Sequence, residues 1–140
     1  MELLVLLPRH LHGKLSELAC QYPVVTITGP RQSGKTTLCR MVFPDRPYVS
    51  LENPDHRALA QQDPRTFFAN WPSAIIDEIQ RIPSLMSYIQ GIVDESNTPG
   101  QFILTGSAQL ELMESVSQSL AGRTALLKLL PFSYDELYGG

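Results

Sequence analysis

The chain has 140 residues, of which 43% are hydrophobic and 18% are charged, and its formal net charge at pH 7 is −3. This length fits one domain with a hydrophobic core, and the composition excludes an intrinsically disordered chain, which needs fewer apolar residues and more net charge. The small negative charge excludes a globally basic nucleic-acid or membrane-surface binder. Two cysteines, Cys20 and Cys39, are too few for a disulfide scaffold.

Helix-like and strand-like patterns alternate along the chain. Residues 9–21 fit an amphipathic helix, with Leu11, Leu15 and Leu18 at spacings of four and three. The predicted strands are 24–28, 48–51, 74–77, 102–105 and 124–130, and the further predicted helices are 35–42, two short ones in 55–70 that are divided at Asp63-Pro64, 84–95 and 108–120. This alternation predicts a three-layer α/β fold with a mostly parallel, five-stranded sheet that is covered on both faces.

The start of the chain does not read as a targeting or membrane segment. Residues 1–7 lack the basic leader of a signal peptide, their apolar run covers only residues 3–7, and Pro8 follows at once. No apolar run approaches the roughly 18 residues that a membrane-spanning helix needs. We therefore expect a cytoplasmic protein with no membrane association.

A glycine-rich motif follows the first predicted strand. It matches G-x-x-x-x-G-K-[ST] and consists of Gly29, Pro30, Arg31, Gln32, Ser33, Gly34, Lys35 and Thr36. The two glycines permit close backbone approach, so that the N–H groups of the loop converge on phosphate oxygens at the positive end of the next helix. Lys35, expected to point into a solvated loop, supplies charge to the β- and γ-phosphates, and the Thr36 hydroxyl is a ligand for magnesium. For Arg31 a packing contact is favoured over catalysis.

The third predicted strand ends in two carboxylates, Asp77 and Glu78. Successive side chains of a regular strand point to opposite faces, but the chain turns at the end of the strand and both can then border one crevice. This edge is where ligands bind in open α/β sheets. Asp77 is predicted to hold the magnesium ion, and Glu78 to orient and polarise the attacking water.

Three more polar residues are candidates for contact with the γ-phosphate. Thr105 and Ser107, at the end of the fourth predicted strand, share strand parity, so either can sense the bound nucleotide; ordinary turn chemistry is the alternative. Arg123 follows Gly122 just before the last predicted strand. It is a candidate for stabilising transition-state charge, in cis or from a neighbouring subunit, and the alternative is a plain surface arginine.

Taken in order, these motifs resemble the AAA-like P-loop ATPases of bacteria and archaea. The segments that carry the resemblance are GPRQSGKTTL at 29–38, IDEIQR at 76–81, LTGS at 104–107, LAGR at 120–123 and LPFS at 130–133. The resemblance runs from about residue 9 to 137. It implies an additional-strand P-loop fold, with a strand between the P-loop strand and the neighbour of the acidic strand. It also implies ATP and Mg²⁺ as ligands, adds Thr37 to the nucleotide-binding residues, and gives the other residues the roles assigned above.

Relatives in this family usually continue into a C-terminal domain of unknown function, and residues 1–140 end before such a domain. We expect residues 1–140 to form one AAA-like ATPase core, with the helix at 9–21 packed on it. A fragment, a truncated gene and a stand-alone core are all consistent with this length.

Three functions are open at this point: a Mg-dependent ATPase that couples hydrolysis to a conformational change, a nucleotide-gated interaction module with negligible turnover, and a P-loop kinase. Glu78 beside Asp77 favours hydrolysis, because a kinase has no general need for a residue that activates water. ATP is the expected partner. A homo-oligomer, a nucleic-acid or protein partner, and the choice between ATP and GTP stay open.

Overall fold

The computed structural model describes residues 2–30, 34–107 and 109–129, with side chains described from residue 12 onward and not for 109–111. The predicted nucleotide-binding residues Arg31, Gln32 and Ser33, and the LPFS segment at 130–133, lie outside the described residues. The helices are α1 (Glu2–Gln21), α2 (Lys35–Val42), α3 (Pro54–Gln62), α4 (Pro64–Asn70), α5 (Leu85–Ser96) and α6 (Gln109–Ser119), with a 3₁₀ turn at Ile79–Arg81. The strands are β1 (Val24–Thr28), β2 (Tyr48–Ser50), β3 (Ala74–Asp77), β4 (Phe102–Gly106) and β5 (Thr124–Lys128).

The five strands form one parallel sheet in the order β2-β3-β4-β1-β5. This confirms the predicted fold class, and β4 is the additional strand, lying directly between β1 and β3. In the register of the sheet Thr28 pairs with Gly106, and Ser50 pairs with Asp77. The carboxyl ends of β1, β2, β3 and β4 therefore meet at one edge, where the loops that follow them lie side by side.

Each face of the sheet has its own hydrophobic core. Val25 and Ile27 of β1 pack with Leu15 of α1 and Leu38 of α2 on one face. On the other face, residues of α3, α4, α5 and α6 pack against alternate residues of the strands; the strand residues in this cluster are Val24, Val49, Ala74, Ile76, Phe102 and Leu104. Complete burial of a Leu or Ile side chain contributes about 1.5–3 kcal/mol. The sheet is thus fixed between two helical layers, and its carboxyl edge is held in place.

The boundary between α3 and α4 shows how local chemistry sets the helix ends. Asp63 ends α3, and its carboxylate caps α4 by accepting a hydrogen bond from Thr66 N at 3.2 Å. Pro64 occupies the first turn of α4, where a missing N–H has no cost. The predicted break at Asp63-Pro64 is confirmed.

Helix α1 is longer than predicted. It begins at Glu2, whereas the sequence pattern placed its start at residue 9. Pro8 removes one backbone donor from a helix interior, but leucines are strong helix formers and continue the pattern on its N-terminal side. No helix in the described part of the chain, α1 included, has the length and apolarity needed to cross a membrane.

Candidate nucleotide-binding site

The predicted phosphate-binding motif lies between the end of β1 and the start of α2. Gly34 has a φ of +82°, in the left-handed region that favours glycine, and it is the residue from which α2 begins. At the other end of the motif, Gly29 N donates to Gly106 O at 3.3 Å, which ties the loop to the end of β4. The first N–H groups of α2 belong to Lys35, Thr36 and Thr37, so the positive end of the helix faces the loop.

Lys35 is buried. Its side chain is 3% exposed, and Nζ donates to Pro30 O at 3.4 Å across the loop. The expectation of a side chain in a solvated loop was wrong, because Lys35 is buried at the start of α2. A buried ammonium group needs negative or polar partners. The position of Lys35 is therefore suited to a bound anion at the mouth of the loop.

The carboxylate of Asp77 is the centre of a cluster of hydroxyl groups. Its Oδ1 accepts from Thr36 Oγ1 at 3.3 Å and from Thr105 Oγ1, and its Oδ2 accepts from Tyr48 OH at 2.8 Å and from Ser50 Oγ at 3.4 Å. Asp77 itself is only 8% exposed. Two residues that the sequence assigned to magnesium, Thr36 and Asp77, are thus brought into direct contact.

The donor set at Asp77 fits Mg²⁺ that arrives with a nucleotide. In the described residues no group of three or more His, Cys, Asp or Glu side chains could hold a metal ion by itself. Mg²⁺ is commonly bound by one or two carboxylates together with substrate phosphates and water, rather than by an all-protein cage. Asp77 and Thr36 supply one carboxylate and one hydroxyl, both hard oxygen ligands, beside the phosphate-binding loop.

Tyr48 and Ser50 were not among the predicted site residues. They are two positions apart on β2, so both side chains lie on the same face, and Ser50 stands opposite Asp77 in the register. Burial raises the pKa of Tyr48, and its hydrogen bond to Asp77 raises it further, so the hydroxyl remains a protonated donor. The signal in the sequence is a pair of hydroxyl residues at i and i+2 at the end of a strand, and it has meaning only once β2 is known to pair with β3.

Glu78 follows Asp77 in a left-handed backbone conformation, with a φ of 59°, and is 5% exposed. Its Oε2 accepts from Ser107 Oγ at 3.0 Å and from Gln80 Nε2. The two candidate sensors therefore divide between the two carboxylates: Thr105 bonds to Asp77, and Ser107 bonds to Glu78. The sensor role stays a prediction for both, and so do the catalytic roles of Glu78 and Lys35.

Arg123 lies at the opposite end of the strands from the phosphate-binding loop, directly before the first residue of β5. Its backbone O accepts from Val24 N, the first residue of β1, at 3.3 Å. Its guanidinium bonds in a bidentate manner to Asp94, with Nε to Oδ1 at 2.6 Å and Nη2 to Oδ2 at 3.0 Å. A five-residue strand rises about 3.3 Å per residue, so roughly 13–16 Å separate this end from the phosphate-binding loop. The cis role does not fit this placement, and the role from a neighbouring subunit stays a prediction.

The chain is similar to proteins of known sequence or structure. The chain is 44% identical over 111 residues to the uncharacterized protein Rv2008c of Mycobacterium tuberculosis, an alignment that covers 76% of this chain and 25% of the relative. It is similar in fold to the Walker-type ATPase PABY2304 of Pyrococcus abyssi, with a TM-score of 0.59, 20% identity, and coverage of 89% of this chain and 53% of the other. AMPPCP-bound DnaA from Aquifex aeolicus gives a TM-score of 0.57 at 17% identity, over 86% of this chain and 44% of the other.

The two structural likenesses establish the fold, and the chain spans only about a quarter of the length of its mycobacterial relative. The family assignment rests on a direct match of the sequence. Residues 21–138 match the family described as AAA domain, which covers most of the 140 residues. The chain belongs to this AAA domain family of P-loop ATPases.

Proposed function

We propose that this chain binds ATP with Mg²⁺ and hydrolyses it, and that hydrolysis changes the conformation of the domain. One observation carries the proposal: Thr36 of the phosphate-binding motif donates to Asp77, and Glu78 lies next in the chain at the same sheet edge. P-loop ATPases need these groups together, namely a hydroxyl and a carboxylate for the metal and a second carboxylate for water. The AMPPCP in the related DnaA structure supports a nucleoside triphosphate as the ligand.

Each residue has a role in this proposal that follows from its place. Lys35, buried at the base of the loop, binds the β- and γ-phosphates. Thr36 and Asp77 would hold the metal, which would supply positive charge to neutralise the phosphates. Glu78 orients the attacking water by accepting a hydrogen bond from it and takes up its proton as the water oxygen bonds to the γ-phosphorus, while the bond from the γ-phosphorus to the bridging oxygen breaks and ADP leaves. The positioning of these groups, more than any covalent chemistry of the protein, supplies the rate enhancement.

The conformational change is proposed to start at Ser107. In the structure its hydroxyl donates to Glu78 at 3.0 Å. A γ-phosphate at the mouth of the loop offers charged oxygens that compete for the same donor, and charge-assisted hydrogen bonds are the stronger ones. Ser107 would then move from Glu78 to the phosphate when ATP binds and return after hydrolysis, and β4 would transmit this change.

The second candidate function is a nucleotide-gated interaction module with negligible turnover. It is favoured by the burial of Glu78, which is 5% exposed and bonded to two neighbours, so that its carboxylate is not presented to bulk water. Chains of this family that are longer than this one have further surface through which such a module could act, as the mycobacterial relative illustrates by its length.

Measurement of phosphate release separates the two functions. The chain is incubated with ATP or GTP, with Mg²⁺ or with a chelator in excess, and bound nucleotide is measured in parallel by calorimetry. Metal-dependent release above the background of a Lys35→Ala protein supports the ATPase. Tight binding with release at background in all conditions supports the module, and absence of nucleotide binding would contradict both.

A further inference from the structure

Gln80 contacts both the proposed water-activating carboxylate of Glu78 and the other hydrogen-bond donor to that carboxylate, Ser107. Its Nε2 donates to Glu78 Oε2 and, at 3.4 Å, to Ser107 Oγ. Ser107 Oγ in turn donates to the same oxygen, Glu78 Oε2, at 3.0 Å. Gln80 and Ser107 together form what we call the Glu78 clamp. Neither the phosphate-binding motif nor the acidic pair accounts for Gln80.

The backbone is shaped to bring Gln80 to this place. Glu78 has a φ of 59°, a conformation that non-glycine residues rarely adopt, and such residues concentrate at functional sites. It opens the 3₁₀ turn Ile79–Arg81, which is closed by a hydrogen bond from Arg81 N to Glu78 O at 3.1 Å. Ile79 is completely buried in the core and anchors the turn. The side chain of Gln80 therefore returns toward Glu78 instead of extending into solvent.

The orientation of the Gln80 amide is set by chemistry. With Nε2 toward Glu78 it donates to a carboxylate, whereas the reverse orientation would place its oxygen against the oxygens of Glu78. As a consequence Oε1 is buried, and it has no hydrogen-bond partner in the described part of the chain. Buried polar atoms of native proteins are nearly always paired, and in this orientation it is Nε2, directed at Glu78, that is paired.

The end of β4 leaves room for this side chain. A Cβ at Gly106 would lie 2.6 Å from Gln80 Oε1 and 2.6 Å from Leu112 Cδ2. Any side chain at position 106 would therefore displace Gln80 from its place beside Ser107. The lack of a side chain at Gly106 therefore leaves the space that the amide of Gln80 occupies.

We propose that Gln80 is a positioning residue for hydrolysis: it holds the carboxylate of Glu78 at Oε2, so that Glu78 keeps one orientation when Ser107 turns to the γ-phosphate. The proposal rests on the proposed ATPase function. Gln80 acts through Glu78 and does not itself touch the nucleotide. Loss of its donor should therefore lower kcat and leave the affinity for Mg-ATP unchanged.

The test is a double-mutant cycle between Gln80→Met and Glu78→Gln. Methionine has a similar length and volume but no N–H donor, and Gln62→Met on the exposed end of α3 is the matched control. General-base catalysis contributes about 10²–10⁴-fold, so we expect Gln80→Met to lower kcat by roughly tenfold or more with the dissociation constant for Mg-ATP unchanged. In the Glu78→Gln background the same substitution should have no further effect, because the group that it positions is already lost.

A merely structural role for Gln80 predicts a different pattern, with equal loss of activity in both backgrounds or weaker binding of Mg-ATP, and either result overturns the proposal. If Gln80→Met fails to fold, Gln80→Glu keeps the shape and replaces the donor with an oxygen, and the same cycle is measured with it. If the parent chain releases no phosphate, the proposed ATPase function fails. The cycle is then measured on the free energy of unfolding in denaturant: energetic coupling between positions 78 and 80 supports the clamp, and additive effects overturn it.

Discussion

Tyr48 and Asp77 lie on neighbouring parallel strands, and the phenolic hydroxyl of Tyr48 donates a 2.8 Å hydrogen bond to Asp77 Oδ2. The other oxygen of the same carboxylate, Oδ1, accepts from Thr36 and Thr105. One side of the carboxylate is therefore fixed by β2, and the other faces the phosphate-binding helix. These hydrogen bonds fix the rotation of the carboxylate.

Tyr48→Phe should weaken Mg-dependent nucleotide binding. Replacement of a residue that orients a metal ligand typically costs 10–100-fold in metal affinity, and Ser50 still donates to Oδ2 in this variant. We expect a loss of roughly tenfold in the affinity for Mg-ATP, measured by calorimetry, with no change for ATP in the presence of a chelator. Tyr88→Phe, at an exposed position, is the control. Equal loss with and without Mg²⁺ would show that Tyr48 acts on the fold and not on the metal site.

Lys35→Ala should abolish most of the affinity for Mg-ATP. A hydrogen bond to a charged group is worth about 1.5–3 kcal/mol, which corresponds to roughly 10- to 150-fold in the dissociation constant. Because Lys35 is buried, the melting temperature must be measured beside the affinity. Lys14→Ala, on the exposed face of α1, is the matched control. Unchanged affinity in a folded Lys35→Ala protein would contradict the assignment of the phosphate-binding loop.

Glu78→Gln and Asp77→Asn should have separate effects. Glu78→Gln keeps the shape of the side chain but removes the charge that orients water, so ATP should bind normally while phosphate release falls by about 10²-fold or more. Asp77→Asn should instead weaken binding in the presence of Mg²⁺. Glu95→Gln, exposed at the end of α5, is the control. If the Glu78→Gln protein hydrolyses ATP at the rate of the parent, another residue activates the water.

If Arg123 acts across a subunit boundary, the rate of ATP hydrolysis per chain depends on association of the subunits. Because Arg123 precedes β5, at the end of the strands opposite the loop, we expect its guanidinium to reach a γ-phosphate from a neighbouring subunit if it acts in catalysis. Arginine fingers contribute about 10³–10⁵-fold in rate, so phosphate release per chain should rise with protein concentration. A mixture of Lys35→Ala and Arg123→Ala chains should recover activity that neither has alone, because one keeps the finger and the other keeps the loop.

The control for Arg123→Ala is a substitution of its ion-pair partner, Asp94. Asp94→Asn weakens the bidentate pair and leaves the guanidinium in place, so it should not lower activity as Arg123→Ala does. The pair also holds the pKa of Asp94 below its ordinary value through the hydrogen bond from Arg123, so any contribution of the pair to stability is present above that ordinary value and is lost as the pH falls. A specific activity that is constant over a hundredfold dilution would exclude the role in trans.

Cys39 should be inert toward alkylation in the native protein. Burial raises its pKa to about 12, with Asp77 adding to the shift and Lys35 opposing it, and only the thiolate is a good nucleophile. Iodoacetamide at pH 8 should therefore label the exposed Cys20 and leave Cys39 unmodified, as peptide mass spectrometry can show, until the protein is unfolded. Labelling of Cys39 at the rate of Cys20 would contradict its burial.

The raised pKa of Cys39 also affects the stability of the fold at alkaline pH. Above pH 9.0 the thiol of Cys39 ionises in the unfolded chain but not in the folded one, so the stability conferred by its neutral form is complete below pH 9.0 and is lost as the pH rises toward about 12. The free energy of unfolding should fall with a slope of up to about 1.4 kcal/mol per pH unit from this group. Cys39→Ala should remove that part of the slope in denaturant titrations from pH 8 to 11.

Local pattern was enough to predict the elements and the motif residues on them. The β-branched run 24–28 is strand β1, the apolar run before Asp77 is β3, and Pro64 divides α3 from α4, because each of these outcomes depends on neighbours within a few residues. The motif at 29–36 likewise carries its chemistry in its own spacing. The start of α1 was missed because a proline is a probable, not an obligatory, helix boundary.

The order of the strands in the sheet decided which residues of the candidate site are in contact. Tyr48 and Ser50 meet Asp77 only because β2 pairs with β3, and Ser107 meets Glu78 only because β4 lies beside β3. Arg123 stands far from the loop because β5 runs parallel to β1 and Arg123 precedes it. Pairing of this kind joins residues that are 27 to 41 positions apart in the site, and it depends on the packing of whole strands and helices into two cores. The sequence by itself determined which chemical groups the protein carries to the edge of a strand; the tertiary structure determined which of those groups touch.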